Sequence, residues 1–250
     1  MNYQKLAEQL SAALHLALAP IAVSFPDAPP ANVPHFDGVV PAGCAFWQHA
    51  ANRTFITTAK DHALCSIGVH THHLANLLPT QQVELTDALK AMSDLDYVRA
   101  DEIAAIPVIK QEVRYVMYGP LAEFPIEARV VLIFADARQG LVVSEAVARV
   151  DKIAAPAMGR PACAAIPQAL NAGNAVLSLG CCGARAYLDA LDDRVAMWAL
   201  PGIKIESYCA EISALTHANQ VLTSFHKRRR EDVEAGEQPT VGQSLARLSS

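Results

Sequence analysis

Five consecutive apolar residues, Val130-Val131-Leu132-Ile133-Phe134, leave no polar face in the middle of the chain. An extended run of this kind has to be covered on both sides, so it predicts a buried strand with helices above and below it. Shorter β-branched or apolar runs recur around it, at about 20–25, 54–58, 113–118, 175–180 and 195–200, each bounded by Gly, Pro or Asn. Tyr3, Leu6, Leu10, Ala13 and Leu14 stand at helical spacing within residues 2–16, and helical patterns return at 81–93, 139–150, 160–172 and 204–227. Strands and helices mix without strict alternation. The expectation is one compact α/β (or α+β) domain over residues 1–227, a mixed sheet flanked by helices, followed by a polar C-terminal tail over 228–250.

Composition narrows the function classes. Apolar residues make up 52% and charged residues 18% of the 250, against roughly 45–50% and about 25% in ordinary soluble domains. A largely disordered protein is excluded, and the surplus of apolar surface leads to the expectation of a homo-oligomer. The net charge is −5, and the one basic cluster, Lys227 to Arg230, runs directly into Glu231, Asp232 and Glu234. That is a solvated helix end, not a nucleic-acid face. The longest apolar stretch, Ser11 to Phe25, is interrupted by His15 and Pro20 and falls short of the roughly 20 residues of a membrane span. The first residues carry no basic n-region and no cleavage site, so a cytoplasmic location is expected. Thiols stay reduced there, and six cysteines read as metal-binding or catalytic before they read as disulfides.

Five of those cysteines fall at the ends of the expected elements, beside Gly, Pro or small residues. Cys44 follows Pro41-Ala42-Gly43, Cys65 precedes Ser66-Ile67-Gly68, Cys163 follows Arg160-Pro161-Ala162, and Cys181 and Cys182 lie between Gly180 and Gly183. Backbone N–H groups are free at such places and can hydrogen-bond a thiolate or a cluster sulfide. Cys209 sits inside the long C-terminal helical pattern and reads as core packing. The arrangement also echoes itself. A cysteine at a helix start, an asparagine, a strand and a second cysteine occur with a separation of 21 residues from Cys44 to Cys65 and of 18 from Cys163 to Cys181. If this reflects an internal duplication, four cysteines converge across a pseudo-twofold axis.

No Cys-x-x-Cys pair, P-loop, Gly-x-Ser-x-Gly elbow or His-Glu-x-x-His helix is present. Zinc sites are usually built from close pairs, whereas cluster ligands may come from distant loops, so the spacing favours an iron–sulfur cluster with zinc as the alternative. His70, His72 and His73 read as solvated or capping residues. Arg160 and Arg185 stand next to cysteines in sequence, where a guanidinium offsets thiolate charge or holds an anion.

Several stretches resemble a bacterial and archaeal group, domain of unknown function 169. They include Pro20-Ile-Ala-Val-Ser-Phe25, Gly43-Cys-Ala-Phe46, Asp61-His-Ala-Leu-Cys-Ser-Ile-Gly68, Gly119-Pro-Leu121, Arg160-Pro-Ala-Cys-Ala-Ala-Ile-Pro167 and Ser178-Leu-Gly-Cys-Cys-Gly-Ala-Arg-Ala-Tyr187. The resemblance covers roughly residues 5–217. It implies that Cys44, Cys65, Cys163 and one of Cys181 and Cys182 sit in the family's signature motifs. Cys181 matches the Gly-Cys-x-Gly-x-Arg pattern and Cys182 its variable position, while Ala184 departs from the Asn-Arg commoner there. No reaction is implied.

Three functional readings follow. The leading one is a protein that binds a 4Fe-4S cluster, for electron transfer or redox chemistry on a small substrate, with a redox partner or small-molecule substrate still to be found. The others are a metal-free thiol enzyme for sulfur or acyl transfer, and a non-catalytic zinc- or ligand-binding module. Whether the chain is an enzyme is left open.

Overall fold

The structure is a computed structural model and describes residues 1–247. The last three residues of the expected tail, 248–250, lie outside the described residues. In chain order the elements are α1 (Tyr3–Leu14), β1 (Ile21–Ser24), α2 (Phe46–Ala50), β2 (Phe55–Thr57), α3 (Ser66–Thr71), α4 (Pro79–Asp94), α5 (Ala100–Ala104) and β3 (Val116–Pro120). There follow β4 (Val130–Asp136), α6 (Ala137–Asp151), β5 (Ala157–Met158), α7 (Ala165–Ala172), β6 (Val176–Ser178), α8 (Cys182–Tyr187), β7 (Val195–Pro201), α9 (Ile205–Glu234) and α10 (Val241–Ala246). Single 3-10 turns at Gly43–Ala45 and Ala162–Ala164 lead directly into α2 and α7.

The strands form one seven-stranded mixed sheet in the order β2-β3-β1-β4-β7-β6-β5. Only β5 and β6 run parallel; the other pairs are antiparallel. Strand β4 lies in the middle, in register with β1 on one side and with all of β7 on the other. Alternate residues of β4 feed two separate cores. Val130, Leu132 and Phe134 face α2 and α7, and Val131, Ile133 and Ala135 face α1, α6 and α9. Helices cover both faces, which is why this antiparallel sheet has the unbroken apolar strand more usual in parallel ones.

Leaving out the short edge strand β5, the order reads the same from either side of the antiparallel β1–β4 pair: β3 then β2 outward from β1, β7 then β6 outward from β4. The spacing echo in the sequence runs along these two sets of connections. Each set carries a 3-10 turn and helix before its outermost long strand, and a short helix after it.

Local chemistry explains the element ends. Asn2 caps α1 by accepting from the Lys5 N–H at 3.0 Å, and Asp136 with Gln139 forms a capping box at α6. Gln139 also donates to the Leu14 carbonyl, which ties α6 to the end of α1. The Asp151 carboxylate is fully buried and takes bonds from Lys204 at 2.7 Å, the Tyr208 hydroxyl at 2.7 Å and the Ala175 N–H at 2.8 Å. It joins α6, α9 and the start of β6.

Three local features differ from the sequence reading. Gly180, at φ +87, turns the chain so that Cys181 becomes the N-cap of α8 where only a tight turn is expected. Helix α9 passes through Lys227 without a break and ends at Glu234. Thr240 and Gln243 then cap α10, which packs on α9. No helix among the described residues is long and apolar enough to cross a membrane.

Candidate functional site

The four elements that carry cysteines meet above the first of the two cores. The 3-10 turns of Cys44 and Cys163 touch each other, both touch α3, and the Cys44 turn touches α8. Cys65 is the N-cap residue of α3 and Cys181 that of α8. Cys44 and Cys163 are buried, Cys65 and Cys181 half-buried, and Cys182 exposed. All five line one cavity of about 600 Å³. Its inner wall is these turns together with Leu64, Ile67, Met158 and Pro161. Its outer wall comes from α4 and α5, through Leu89, Met92, Tyr97, Val98 and Glu102.

The thiols of Cys44, Cys65, Cys163 and Cys181 lie within electrostatic reach of one another in all six pairings. Cys182 takes part in none of these pairings. Burial pushes the Cys44 thiol up to about 12, and repulsion from Cys65 and Cys181 adds to this, against the N–H groups of Cys44 and Ala45. Burial also raises Cys65, opposed by N–H bonds from Gly43 and Gly68. Cys163 is held well above the usual thiol range by burial and by Cys65, and the Thr71 hydroxyl opposes that. Without a cation the set is therefore neutral, and four thiolates here require positive charge among them.

The backbone is shaped to the Cys65 sulfur. A Cβ added at Gly68 would stand 2.7 Å from that sulfur, and one at Gly43 would stand 3.4 Å from it and 2.8 Å from His62 Nδ1. Any side chain at Gly68 would displace the sulfur and remove the close N–H contact.

A polar layer lies beneath the cysteines. Thr57 donates its hydroxyl proton to the Val116 carbonyl at 3.3 Å, so its 3.1 Å contact with His62 needs a proton on His62 Nε2. That leaves Nδ1 a bare acceptor, and it has no partner. His72 Nδ1 donates to the Gly68 carbonyl at 2.8 Å, and its Nε2 is likewise bare and unpartnered. Burial holds both imidazoles neutral, His62 at about 3 and His72 at about 4. Tyr118 is fully buried, and its hydroxyl has no partner.

The two arginines have other work. Arg160 sits at the cavity rim with its guanidinium 4.8 Å from the Tyr97 ring, bonded to the Tyr97 carbonyl and 3.8 Å from Glu102. It fastens the α4–α5 wall. Arg185 donates to the carbonyls of Leu179, Asp192 and Val195; it braces the loops around α8 and does not line the cavity. Cys209 is core, with its sulfur 3.9 Å from the Leu6 carbonyl. His72, expected at the surface or at a cap, is buried because α3 lies against the sheet.

Among the described residues, no group of three or more His, Cys, Asp or Glu side chains is spaced to hold a single metal ion. A tetrahedral zinc holds sulfurs at about 2.3 Å and so gathers them within about 4 Å of each other. A four-iron cluster takes one thiolate at each of four separate irons, at wider spacing. The donor set, four thiols with backbone N–H groups aimed at two of them, fits the cluster better than the single ion.

His62, His72 and Tyr118 are not singled out by the sequence reading. His62 lies in a motif with Cys65, three residues away, which is a usable signal. Tyr118 gives none, since only the sheet shows which face of β3 meets the cysteines.

A family model for domain of unknown function 169, described as an uncharacterised ArCR family, matches residues 9–211. No curated protein and no solved structure matches the chain.

Proposed function

The chain belongs to the uncharacterised ArCR family, domain of unknown function 169, and from that premise we propose that it is a cysteine-ligated iron–sulfur protein. In this reading Cys44, Cys65, Cys163 and Cys181 each give one thiolate to a 4Fe-4S cluster, and Cys182 is not a ligand. A bound cluster supplies one-electron redox chemistry. The observation that carries the reading is the mutual proximity of four thiols drawn from four separate elements, at one end of one cavity.

The chain's own residues have three tasks. The N–H groups of Gly43 and Gly68 favour the thiolate of Cys65. The two cores exclude water from the sulfurs. The apolar cavity beside them, closed by α4 and α5, receives a small substrate with few charges, and the buried, unpartnered Gln168 carbonyl there accepts one hydrogen bond from it. The reading goes with a reducing compartment, the cytoplasm, and with an external electron donor.

A metal-free thiol enzyme is less well supported, because a nucleophilic cysteine needs a lowered pKa and burial raises these. Zinc is less well supported by the spacing.

The test is purification without oxygen from cells supplied with iron. The expected product is brown, absorbs broadly at about 400 nm and bleaches with dithionite. A colourless protein with zinc or without metal would overturn the reading.

A further inference from the structure

We infer that the Tyr118 hydroxyl donates a hydrogen bond to the group that Cys44, Cys65, Cys163 and Cys181 hold, and so biases that group toward its reduced state. The inference rests on the cluster reading above and names a residue that tunes it.

Tyr118 lies in the middle of β3, paired with β1 on one side and β2 on the other. Its side chain is on the face that carries the cysteine turns. The ring stacks on Phe46 at 5.8 Å and 23° and packs against Phe55 at 5.8 Å. Phe46 follows Cys44 by two residues, so the clamp that fixes the ring is continuous with a ligand turn. Held this way, the phenol cannot swing to water, and it is 0% exposed. Its oxygen has no partner in the protein. It does lie within electrostatic reach of three of the four sulfurs, Cys65, Cys163 and Cys44.

A buried hydroxyl without a partner costs about 1–3 kcal/mol, and phenylalanine fills the same space without that cost. The fold has no use for this oxygen, so its use lies with what the sulfurs bind. A donor aimed at sulfur stabilises the more negative, reduced form of a cluster.

The experiment compares wild type and Tyr118→Phe as full-length protein, first metal-free and then reconstituted with iron and sulfide under argon. The metal-free variant is expected to melt at or above the wild-type temperature. The reconstituted variant is expected to hold the same iron content and to have a lower midpoint potential in a mediated redox titration. The expected shift is about a tenfold loss in the reduction equilibrium, about 59 mV for one electron. Equal potentials would overturn the inference and leave the cluster reading standing. A variant that fails to fold would also overturn it, since the hydroxyl would then have a partner within the protein. A wild type that takes up no iron would remove the cluster reading, and this inference with it.

Discussion

At the scale of single residues, the site sets neutral groups against charged ones. The thiols of Cys44, Cys65 and Cys163 are raised by burial, and His62 and His72 are lowered by it to about 3 and about 4. Both effects come from the same dry region, and the histidines give a pH test of it. Their folded values lie below the ordinary imidazole value of about 6.5, so the unfolded chain binds more protons between that value and about 4. Their contribution to stability is complete above about pH 6.5 and is lost as pH falls toward 4. Each histidine adds a slope of about 1.4 kcal/mol per pH unit. Urea unfolding of the metal-free chain at a series of pH values should show the fall, and His72→Gln should roughly halve it. A flat profile between pH 6.5 and 4 would show that the imidazoles are not buried. The cysteines were legible in the sequence because Gly, Pro and small residues mark element ends and free N–H groups. The layer beneath them was not, because Tyr118 and His72 gain their roles from packing between distant segments.

At the scale of elements, α4 and α5 differ from the rest. Gln81 is the only buried residue of α4, and α5 has none. The Gln81 amide donates to the carbonyls of Ala59 and His62 and anchors one end of this wall. Arg160 fastens the other through Tyr97 and Glu102. An exposed ion pair contributes about 0–1 kcal/mol and a cation–π contact about 0.5–1 kcal/mol. Arg160→Ala should therefore speed hydrogen exchange across residues 79–105 up to about tenfold while the sheet exchanges as before. Unchanged exchange in that segment would mean that the wall is held by something other than Arg160. Helix periodicity disclosed α4, but the role of Arg160 was open to misreading. Its place next to Cys163 in sequence pointed at the thiols, while its guanidinium lies over a ring 63 residues earlier.

At the scale of the whole molecule, the sheet order places the site. Cys44 and Cys65 belong to the connections on the β1 side of the sheet, and Cys163 and Cys181 to those on the β4 side. The β1–β4 pairing brings the two sets together, so the four thiols meet only when the whole sheet has formed. Alternating burial along β4 and the paired cysteine spacings were both readable in sequence. The strand order that joins them was not, since antiparallel pairing between β1 and β4 links residues more than 100 positions apart.

The claim that four particular thiols hold one cluster is tested most directly by iron and sulfide content per chain, measured on anaerobically reconstituted single Cys→Ser variants. Wild type and Cys182→Ser should each hold close to four irons and four sulfides, the content of a cubic cluster. Cys44→Ser, Cys65→Ser, Cys163→Ser and Cys181→Ser should each lose most of both. Full occupancy in any of those four, or loss of iron in Cys182→Ser alone, would contradict the assignment.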